Sequence, residues 1–345
     1  MRMVAWTCTA LAAMVGMTLV SCGGSSTGGV KLQGAGASFP APIYSKWFKS
    51  YSEAHPTVQI DYQSVGSGSG IKSFIDKTVD FGASDAAMTP EEIGRVDPAL
   101  GVQLLPMTAG SIAITYNLPD VKELKLSRQA YAGIFLGTVK KWDDPLIAKA
   151  NPGVKLPDSP INVVVRADSS GTTFVFSQHL SAISPEFAKG PGTSKMPNWP
   201  VGTRSKGNEG VTASVKTTPG SIGYIEYGYA KSQGMPMASL ENKSGEYVAP
   251  TTASGQAALA SAQLPDNLIA WVSDPEPKDA YPITTYTWLL VNKKYPKTKL
   301  TVLQDLLNYC LTDGQKEAES LGYIPLPASV VARVKAAVGT LQAAG

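Results

Sequence analysis

The chain has 345 residues, of which 43% are hydrophobic and 17% are charged, so it has enough apolar material for a buried core and enough length for two domains. The net charge is only +3 and the sequence has no long basic run, which argues against nucleic acid as a partner. The two histidines, His55 and His179, lack the spacing of metal ligands. We therefore expect no metal site, no cofactor and no histidine-based catalytic triad.

The N-terminal segment has the pattern of an export signal. Arg2 gives a basic start, residues 4–20 are largely apolar, and the LVSC sequence ending at Cys22 resembles the lipobox of bacterial lipoproteins. This resemblance implies removal of residues 1–21 and lipidation of Cys22, which would anchor the protein to the cell envelope on the periplasmic or extracellular face of a membrane. An ordinary secretory signal and an uncleaved helix remain alternatives. Residues 22–30, which contain GGSSTGG, are predicted to form a flexible tether.

Strands and helices alternate after the tether. The apolar spacing predicts a helix over 40–55, a strand over 58–65, a short helix over 71–79 and a strand over 80–84 that leads to Asp85.

The same alternation continues to the C-terminus. We expect a strand over 110–117, a buried parallel strand over 161–165, and a helix from Phe174 onward. A strand over 288–292, a helix over 300–311 and a helix from Ser329 follow. This recurrence is typical of an α/β fold, in which ligands bind outside the carboxyl ends of the strands.

Two segments, 105–111 and 280–287, are predicted to cross between domains, each just before a strand. Domain I would then comprise residues 31–107 plus 283–345, and domain II residues 108–282. Two crossings would form a hinge that permits the domains to close around a ligand by rigid-body rotation.

The cysteines exclude an intrachain disulfide in the processed chain. Cys8 would leave with the signal and Cys22 would carry lipid, so Cys310 has no partner. Cys310 shares a helical face with leucines at three- and four-residue spacing, which predicts a small core residue.

Three runs of small residues lead into predicted helices: GAGASFP (34–40), GSGSG (66–70) and RADSSGTT (166–173). Glycine permits close backbone approach, hydroxyl groups donate hydrogen bonds, and a helix N-terminus offers unpaired N–H groups with partial positive charge. Together the three runs indicate a pocket for a small oxyanion, although each alone is also ordinary turn chemistry.

Two charged residues refine this hypothesis. Arg166 suits bidentate contact with a tetrahedral oxyanion, and Asp168 could brace its guanidinium, although a surface ion pair is the simpler interpretation. Asp85 would repel an anion unless the ligand carries a proton for it, which phosphate does near neutral pH and sulfate does not. Asp85 could instead cap the segment that begins at Ala86.

The chain resembles a known family over nearly all of its mature part, and six segments carry the resemblance: GAGASFPAPIYSKW, YQSVGSGSG, VDFGASDAAM, FLGTVKKWDDPLIAKANPGVKLP, VVVRADSSGTTFVFS and PGSIGYIEYGYA. They are similar to the periplasmic phosphate-binding proteins of high-affinity phosphate ABC transporters. The resemblance implies a two-domain, hinge-linked, type II periplasmic-binding-protein fold of the α/β class that closes over one phosphate in the interdomain cleft. It also implies a membrane-embedded ABC permease as partner. We expect the mature protein to be a monomer.

The resemblance also implies roles for residues that match the family motifs. The implied phosphate ligands are Ser38, Phe39, Ser67, Asp85, Arg166, Ser170, Gly171 and Thr172, with Asp168 as the partner of the arginine. Asp85 would accept the proton of the ligand. Ser38 stands where the family usually has threonine, and Ser69 and Ser169 stand where glycine is common.

Other functions remain open at the level of sequence. A phosphatase or phosphotransferase could use Ser170 as nucleophile, Arg166 as clamp and Asp168 as base, but no histidine or metal cluster supports it. Arsenate also carries a proton and fits the same logic, whereas Asp85 argues against sulfate and molybdate. A sensor or adhesin on the same fold is a further alternative.

Overall fold

A computed structural model describes residues 29–272 and 274–344, so the predicted signal, Cys22 and most of the predicted tether lie outside the described residues. The strands are β1 (Val30–Gly36), β2 (Val58–Ser64), β3 (Phe81–Ser84), β4 (Val102–Tyr116), β5 (Lys125–Leu126), β6 (Asn162–Arg166), β7 (Thr203–Ser205), β8 (Ser221–Glu226), β9 (Ser239–Glu241), β10 (Tyr247–Val248), β11 (Thr284–Asn292), β12 (Lys294–Tyr295) and β13 (Gln342–Ala343).

The helices are α1 (Ala41–Ala54), α2 (Ser67–Ile75), α3 (Pro90–Gly94), α4 (Arg128–Leu136), α5 (Pro145–Ala148), α6 (Gly171–Ile183), α7 (Pro185–Lys189), α8 (Gly207–Thr217), α9 (Tyr227–Ser232), α10 (Thr252–Ala260), α11 (Lys297–Cys310) and α12 (Ala328–Gly339), with a 3-10 helix at Gly314–Glu317. Within the described ranges, none of these helices has both the length and the apolar character needed to cross a bilayer.

Eight strands form one continuous sheet in the order β2-β1-β3-β11-β4-β8-β6-β7, and β4 belongs to both of its halves. β4 pairs antiparallel with β11 up to Ser111 and with β8 from Ile112 onward. The first half contains β1, β2 and β3, which run parallel, with α1 and α2 between them. The second half contains β6, β7 and β8, also parallel, with α6 and α8. Parallel strands joined by helices place the carboxyl ends of each half at one edge.

The predicted core positions are buried. α1 covers the first half with Ile43, Trp47, Phe48 and Tyr51, as the helical spacing predicts. Cys310 is a free, fully buried thiol on the leucine-lined face of α11, which confirms its structural role.

Two helices begin earlier than predicted. α2 spans Ser67–Ile75 rather than 71–79, so its first turn consists of the serines and glycines that we assigned to a loop. Gly70 must be glycine here, because a Cβ would overlap Gly36 Cα on β1. Close packing of α2 on the sheet thus overrides the low helix propensity of glycine. α6 likewise begins three residues before Phe174.

The first predicted crossing and the second part of the other lie within strands, which corrects the expectation that strands begin after them. β4 contains all of residues 105–111, and β11 starts at Thr284, within the second predicted crossing. Pro106 is tolerated inside β4 because the pairing register shifts beside it, between Thr287 and Trp288. At the other end of the chain, Val30 is the first residue of β1 and not part of a tether.

Candidate ligand-binding site

The predicted site residues lie where strands end and helices begin. Residues of the first half are Ser38 and Phe39 just before α1, Ser67 at the start of α2, and Asp85 just after β3. Residues of the second half are Arg166 at the end of β6 and Ser170, Gly171 and Thr172 at the start of α6. All eight are buried. Several helix N-termini therefore point their unpaired N–H groups at one region, as anion sites require.

The two halves meet at this region. Gly171 on the second half lies so close to the first half that a Cβ would be 2.5 Å from Ser67 Oγ and 2.7 Å from Asp85 Oδ2. Thr172 Oγ1 donates to Asp85 Oδ2 at 3.5 Å, and the Gly68 N–H donates to the Ser169 carbonyl at 2.9 Å. The structure thus brings the predicted residues of both halves into one cluster.

Further contacts join the halves beside the cluster. Lys195 Nζ lies 2.6 Å from Glu92 Oε1, and Ser64 Oγ donates to Glu209 Oε1 at 2.9 Å. These pairs are more exposed than the cluster, so each contributes modestly to holding the halves together.

Arg166 has one donor group free for a ligand. Its Nε donates to Asp168 Oδ1 at 2.9 Å and its Nη2 to Oδ2 at 2.5 Å, while Gly207 N–H also donates to Oδ1 at 3.0 Å. The buried Nη1 has no hydrogen-bond partner among the described residues. Burial would raise the pKa of Asp168, but its hydrogen bond and attraction to Arg166 bring that pKa below its ordinary value. Asp168 is therefore ionised at neutral pH. A buried donor without a partner, such as Nη1, is costly unless an acceptor binds there.

Asp85 is an acceptor at the centre of the cluster. Its Oδ1 accepts from Thr287 Oγ1 at 2.8 Å, and its own N–H donates to Ser67 Oγ at 3.3 Å. Burial raises its pKa to about 7, although the Thr287 hydrogen bond and the charge of Arg166 oppose that shift. A buried carboxyl group that can ionise beside a cationic donor suits a ligand that both accepts and donates hydrogen bonds.

The capping alternative for Asp85 is not what the structure has. The Ala86 N–H bonds to Ser84 Oγ at 3.1 Å, and the next helix, α3, is capped by Thr89. The carboxylate of Asp85 is thus directed to hydroxyl groups of the cluster.

Three polar residues of the cluster were not predicted from the sequence. Asn208 at the start of α8 bonds to Ser38 and Thr172, Thr287 on β11 bonds to Asp85, and the hydroxyl of Tyr229 donates to the Ser38 carbonyl at 2.7 Å. Gly207, directly before Asn208, resembles the small residues at the other helix starts. This glycine is a sequence signal that could have indicated Asn208 as a site residue.

Comparison with known proteins identifies the family. Residues 23–313 match the model of the PBP superfamily domain. The phosphate-binding protein PstS of Pasteurella multocida (strain Pm70) is 42% identical to this chain over 312 residues, which cover 88% of this chain and 89% of that protein. The chain belongs to the PstS family of phosphate-binding proteins. This confirms the resemblance found in the sequence.

A second PstS relative is similar over most of its length. The phosphate-binding protein PstS of Methanocaldococcus jannaschii is 40% identical to this chain, and the match covers 86% of the chain and 82% of the relative.

Solved structures agree with the PstS assignment at the level of the fold. A high-affinity periplasmic phosphate-binding protein, PfluDING, solved with bound phosphate at pH 8.5, has a TM-score of 0.73 with 22% identity, covering 89% of this chain and 93% of that one. A phosphate-binding protein from Stenotrophomonas maltophilia has a TM-score of 0.72 with 20% identity, covering 89% of this chain and 93% of its own. The predicted α/β, two-domain binding-protein fold is confirmed.

Proposed function

We propose that this protein is an extracytoplasmic solute-binding protein that captures inorganic phosphate between its two halves and delivers it to a membrane-embedded ABC permease. The observation that carries the proposal is the buried Nη1 of Arg166, which has no partner among the described residues, beside the buried acceptor Asp85. Phosphate near neutral pH offers oxygen atoms to the first and a hydroxyl proton to the second. The names of the PstS relatives support the same ligand.

We propose the ligand contacts from the family motifs and the cluster together. They are the hydroxyl groups, N–H groups and guanidinium of Ser38, Phe39, Ser67, Arg166, Ser170, Gly171 and Thr172, with Asp85 as acceptor. Asp168 fixes the plane of the guanidinium through two hydrogen bonds.

Equilibrium titration of the mature chain with phosphate, sulfate and arsenate tests the proposal. We expect saturable phosphate binding that excess sulfate does not displace. A protein that does not bind phosphate would contradict the proposed function. Arsenate that displaces phosphate would agree with the donor-and-acceptor logic of the site, because it carries the same proton.

We also propose that the site binds without catalysis. Ser170 Oγ caps α6 by accepting from the Thr173 N–H at 3.0 Å, and Asp168 is held in an ion pair that lowers its pKa. A carboxylate in that state is a poor general base for a serine nucleophile. A chromogenic phosphate ester provides the test, and multiple turnovers that Ser170→Ala abolishes would contradict the proposal.

Closure of the two halves depends on the absence of a side chain at Gly171. The methyl group of the Gly171→Ala variant would clash with Ser67 Oγ and Asp85 Oδ2, so the two halves could not approach each other as closely. Because overpacking costs about 1–3 kcal/mol and the displaced contacts are lost as well, we expect phosphate affinity to fall by about 100-fold. Isothermal titration calorimetry measures this change.

Gly210→Ala is the matched control for Gly171→Ala. Gly210 also lies in a helix of the second half, and a Cβ there would meet its nearest neighbours at an ordinary 3.6 Å. We expect phosphate affinity to stay within about twofold of the original, since substitutions away from packing or site features change free energies little. Equal losses in the two variants would show that the close approach of the halves does not limit binding.

We propose that the halves are the two domains predicted from the sequence, residues 31–107 plus 283–345 and residues 108–282. The change of partner in β4, from β11 to β8 between Ser111 and Ile112, supports a hinge in that region. β11 provides the return connection beside it.

We propose that the chain is exported, anchored by lipid on Cys22, and monomeric. The membrane-bound chain should begin at Cys22 and carry the added mass of acyl chains, and Cys22→Ser should remove that added mass. Mass spectrometry of the purified protein measures both. A Cys22 without acyl chains would contradict lipid anchoring, and sedimentation of a soluble form that begins near Lys31 measures its oligomeric state.

A further inference from the structure

Asn208 joins three elements of the site through its amide groups. Its backbone N–H and its Nδ2 both donate to Ser38 Oγ, at 3.1 Å and 2.9 Å. Nδ2 also donates to Thr172 Oγ1 at 3.3 Å, and Oδ1 accepts from the Glu226 N–H at 2.9 Å. The residue is fully buried, so these bonds are shielded from water. Since Ser38 belongs to the first half and Asn208 to the second, this contact spans the cleft.

The two hydrogen bonds from Asn208 to Ser38 Oγ determine whether the Ser38 hydroxyl can donate or accept a further bond. A serine hydroxyl has one hydrogen to donate and two lone pairs that accept. Both lone pairs of Ser38 are occupied by donors of Asn208. The hydroxyl therefore has only its hydrogen left for any further bond, and that bond must go to an acceptor.

The neighbouring hydroxyl groups follow the same pattern. Ser67 Oγ accepts from the Asp85 N–H at 3.3 Å, and Ser170 Oγ accepts from the Thr173 N–H at 3.0 Å. Thr172 Oγ1 accepts from Asn208 and donates to Asp85. In each of these three hydroxyl groups, a donor of the protein thus occupies one of the two lone pairs of the oxygen.

We propose that Asn208 is a positioning residue that fixes the Ser38 hydroxyl as a donor, and that it does so only when the halves are together. This inference rests on the proposed phosphate-binding function. It deepens that function, because a Ser38 hydroxyl fixed as a donor requires a bare ligand oxygen, whereas the Asp85 carboxylate suits a protonated one. Inorganic phosphate near neutral pH offers both kinds of oxygen.

The proposal is tested by a double-mutant cycle between Asn208 and Ser38 in the mature chain, with inorganic phosphate as the titrant. Asn208→Leu keeps the volume and the backbone N–H but removes the amide. We expect it to weaken phosphate binding about tenfold, as the loss of a buried hydrogen-bond partner does. In the Ser38→Ala background the same change should cost less than about threefold, because its target hydroxyl is gone and only the contact with Thr172 remains.

The conservative variant Ser38→Thr gives a second measurement. It retains a hydroxyl, so Asn208→Leu should again cost about tenfold in that background. Asn208→Ala replaces Asn208→Leu if the leucine variant does not show a cooperative thermal unfolding transition without phosphate. Equal losses from the Asn208 change in the original chain, in Ser38→Ala and in Ser38→Thr would overturn the inference, because Asn208 would then act through general packing. A wild-type chain that binds no phosphate would instead overturn the proposed function.

Discussion

Arg166→Ala should weaken phosphate binding by about 10²–10³-fold, because removing one partner of a buried charge interaction costs about 2–5 kcal/mol. The side chain is 1% exposed, and Nη1 is its donor without a partner among the described residues. The variant also leaves the partly buried Asp168 beside an anion without its countercharge. Both effects act in the same direction, and calorimetric titration with phosphate measures their sum.

Two variants separate the charge of Arg166 from its shape. Arg166→Lys keeps a positive charge but has one nitrogen atom in place of the planar fork, so it cannot form the two parallel bonds to Asp168 while a separate nitrogen faces the ligand; we expect an intermediate loss. Arg204→Ala is the control, since Arg204 lies on β7 opposite Val165, next to Arg166, and is exposed. Phosphate affinity that falls as much in Arg204→Ala as in Arg166→Ala would contradict a specific role for the buried guanidinium.

The sequence allowed the main residues of the cluster to be predicted because their signals are local. Arg166 ends an apolar run that is typical of a buried strand, and Asp85 follows another strand. Strand ends on one edge of a sheet lie near one another, so position along the chain predicts position in the site. The small residues at 66–70 and 166–173 are signals of the same local kind.

Asn208 and Thr287 could not be predicted because their partners are distant in sequence. Asn208 contacts Ser38 across 170 residues, and Thr287 contacts Asp85 across 202. An asparagine at a helix start is ordinary capping chemistry, and a threonine in a strand is common. Only the approach of the two halves gives these residues their partners.

The predicted start of α2 and the predicted crossing at 105–111 were wrong because contacts between distant parts of the chain decide both. The serines and glycines at the start of α2 have weak helix propensity, but the contact of Gly70 with Gly36 holds them in a helical turn. We predicted residues 105–111 to cross between domains before a strand, and they contain a proline and a glycine, which are uncommon inside strands. Pairing of β4 with β11 makes it a strand. Tertiary packing decided both cases.

Acidification should favour closure of the ligand-free protein through Asp85. Its pKa is about 7 in the closed structure, where burial raises it from the ordinary 3.8. Opening that returns the carboxyl group to water would lower this pKa, so the closed form binds more protons than the open form. Closure is therefore more favourable at low pH and weakens as the pH rises toward about 7. Small-angle X-ray scattering without phosphate should show a larger radius of gyration at about pH 8 than at about pH 5. Asp85→Asn, which cannot ionise, should remove the part of this difference that belongs to Asp85.

Asp85→Asn should also change which oxyanion the protein accepts. An ionised Asp85 accepts a hydrogen bond from the protonated oxygen of phosphate. Sulfate has no such proton, so its oxygen atoms would face the carboxylate oxygens of Asp85 with no hydrogen between them. Sites that require a particular hydrogen-bonding group reject analogues that lack it by about 10⁴–10⁵-fold. An asparagine can donate through its amide, so we expect sulfate binding to improve, phosphate binding to weaken, and the ratio of the two dissociation constants to fall by about 100-fold or more.

Competition titrations with phosphate and sulfate at fixed pH and ionic strength measure the ratio. Asp61→Asn is the matched control, since Asp61 lies on β2 of the same half and forms an exposed pair with Lys31 at 2.8 Å. That variant should leave the ratio unchanged. An unchanged ratio in Asp85→Asn would mean that Asp85 does not recognise the proton of the ligand through a hydrogen bond. Discrimination would then have to come from the donors alone, and these cannot distinguish the bare oxygens of sulfate from those of phosphate.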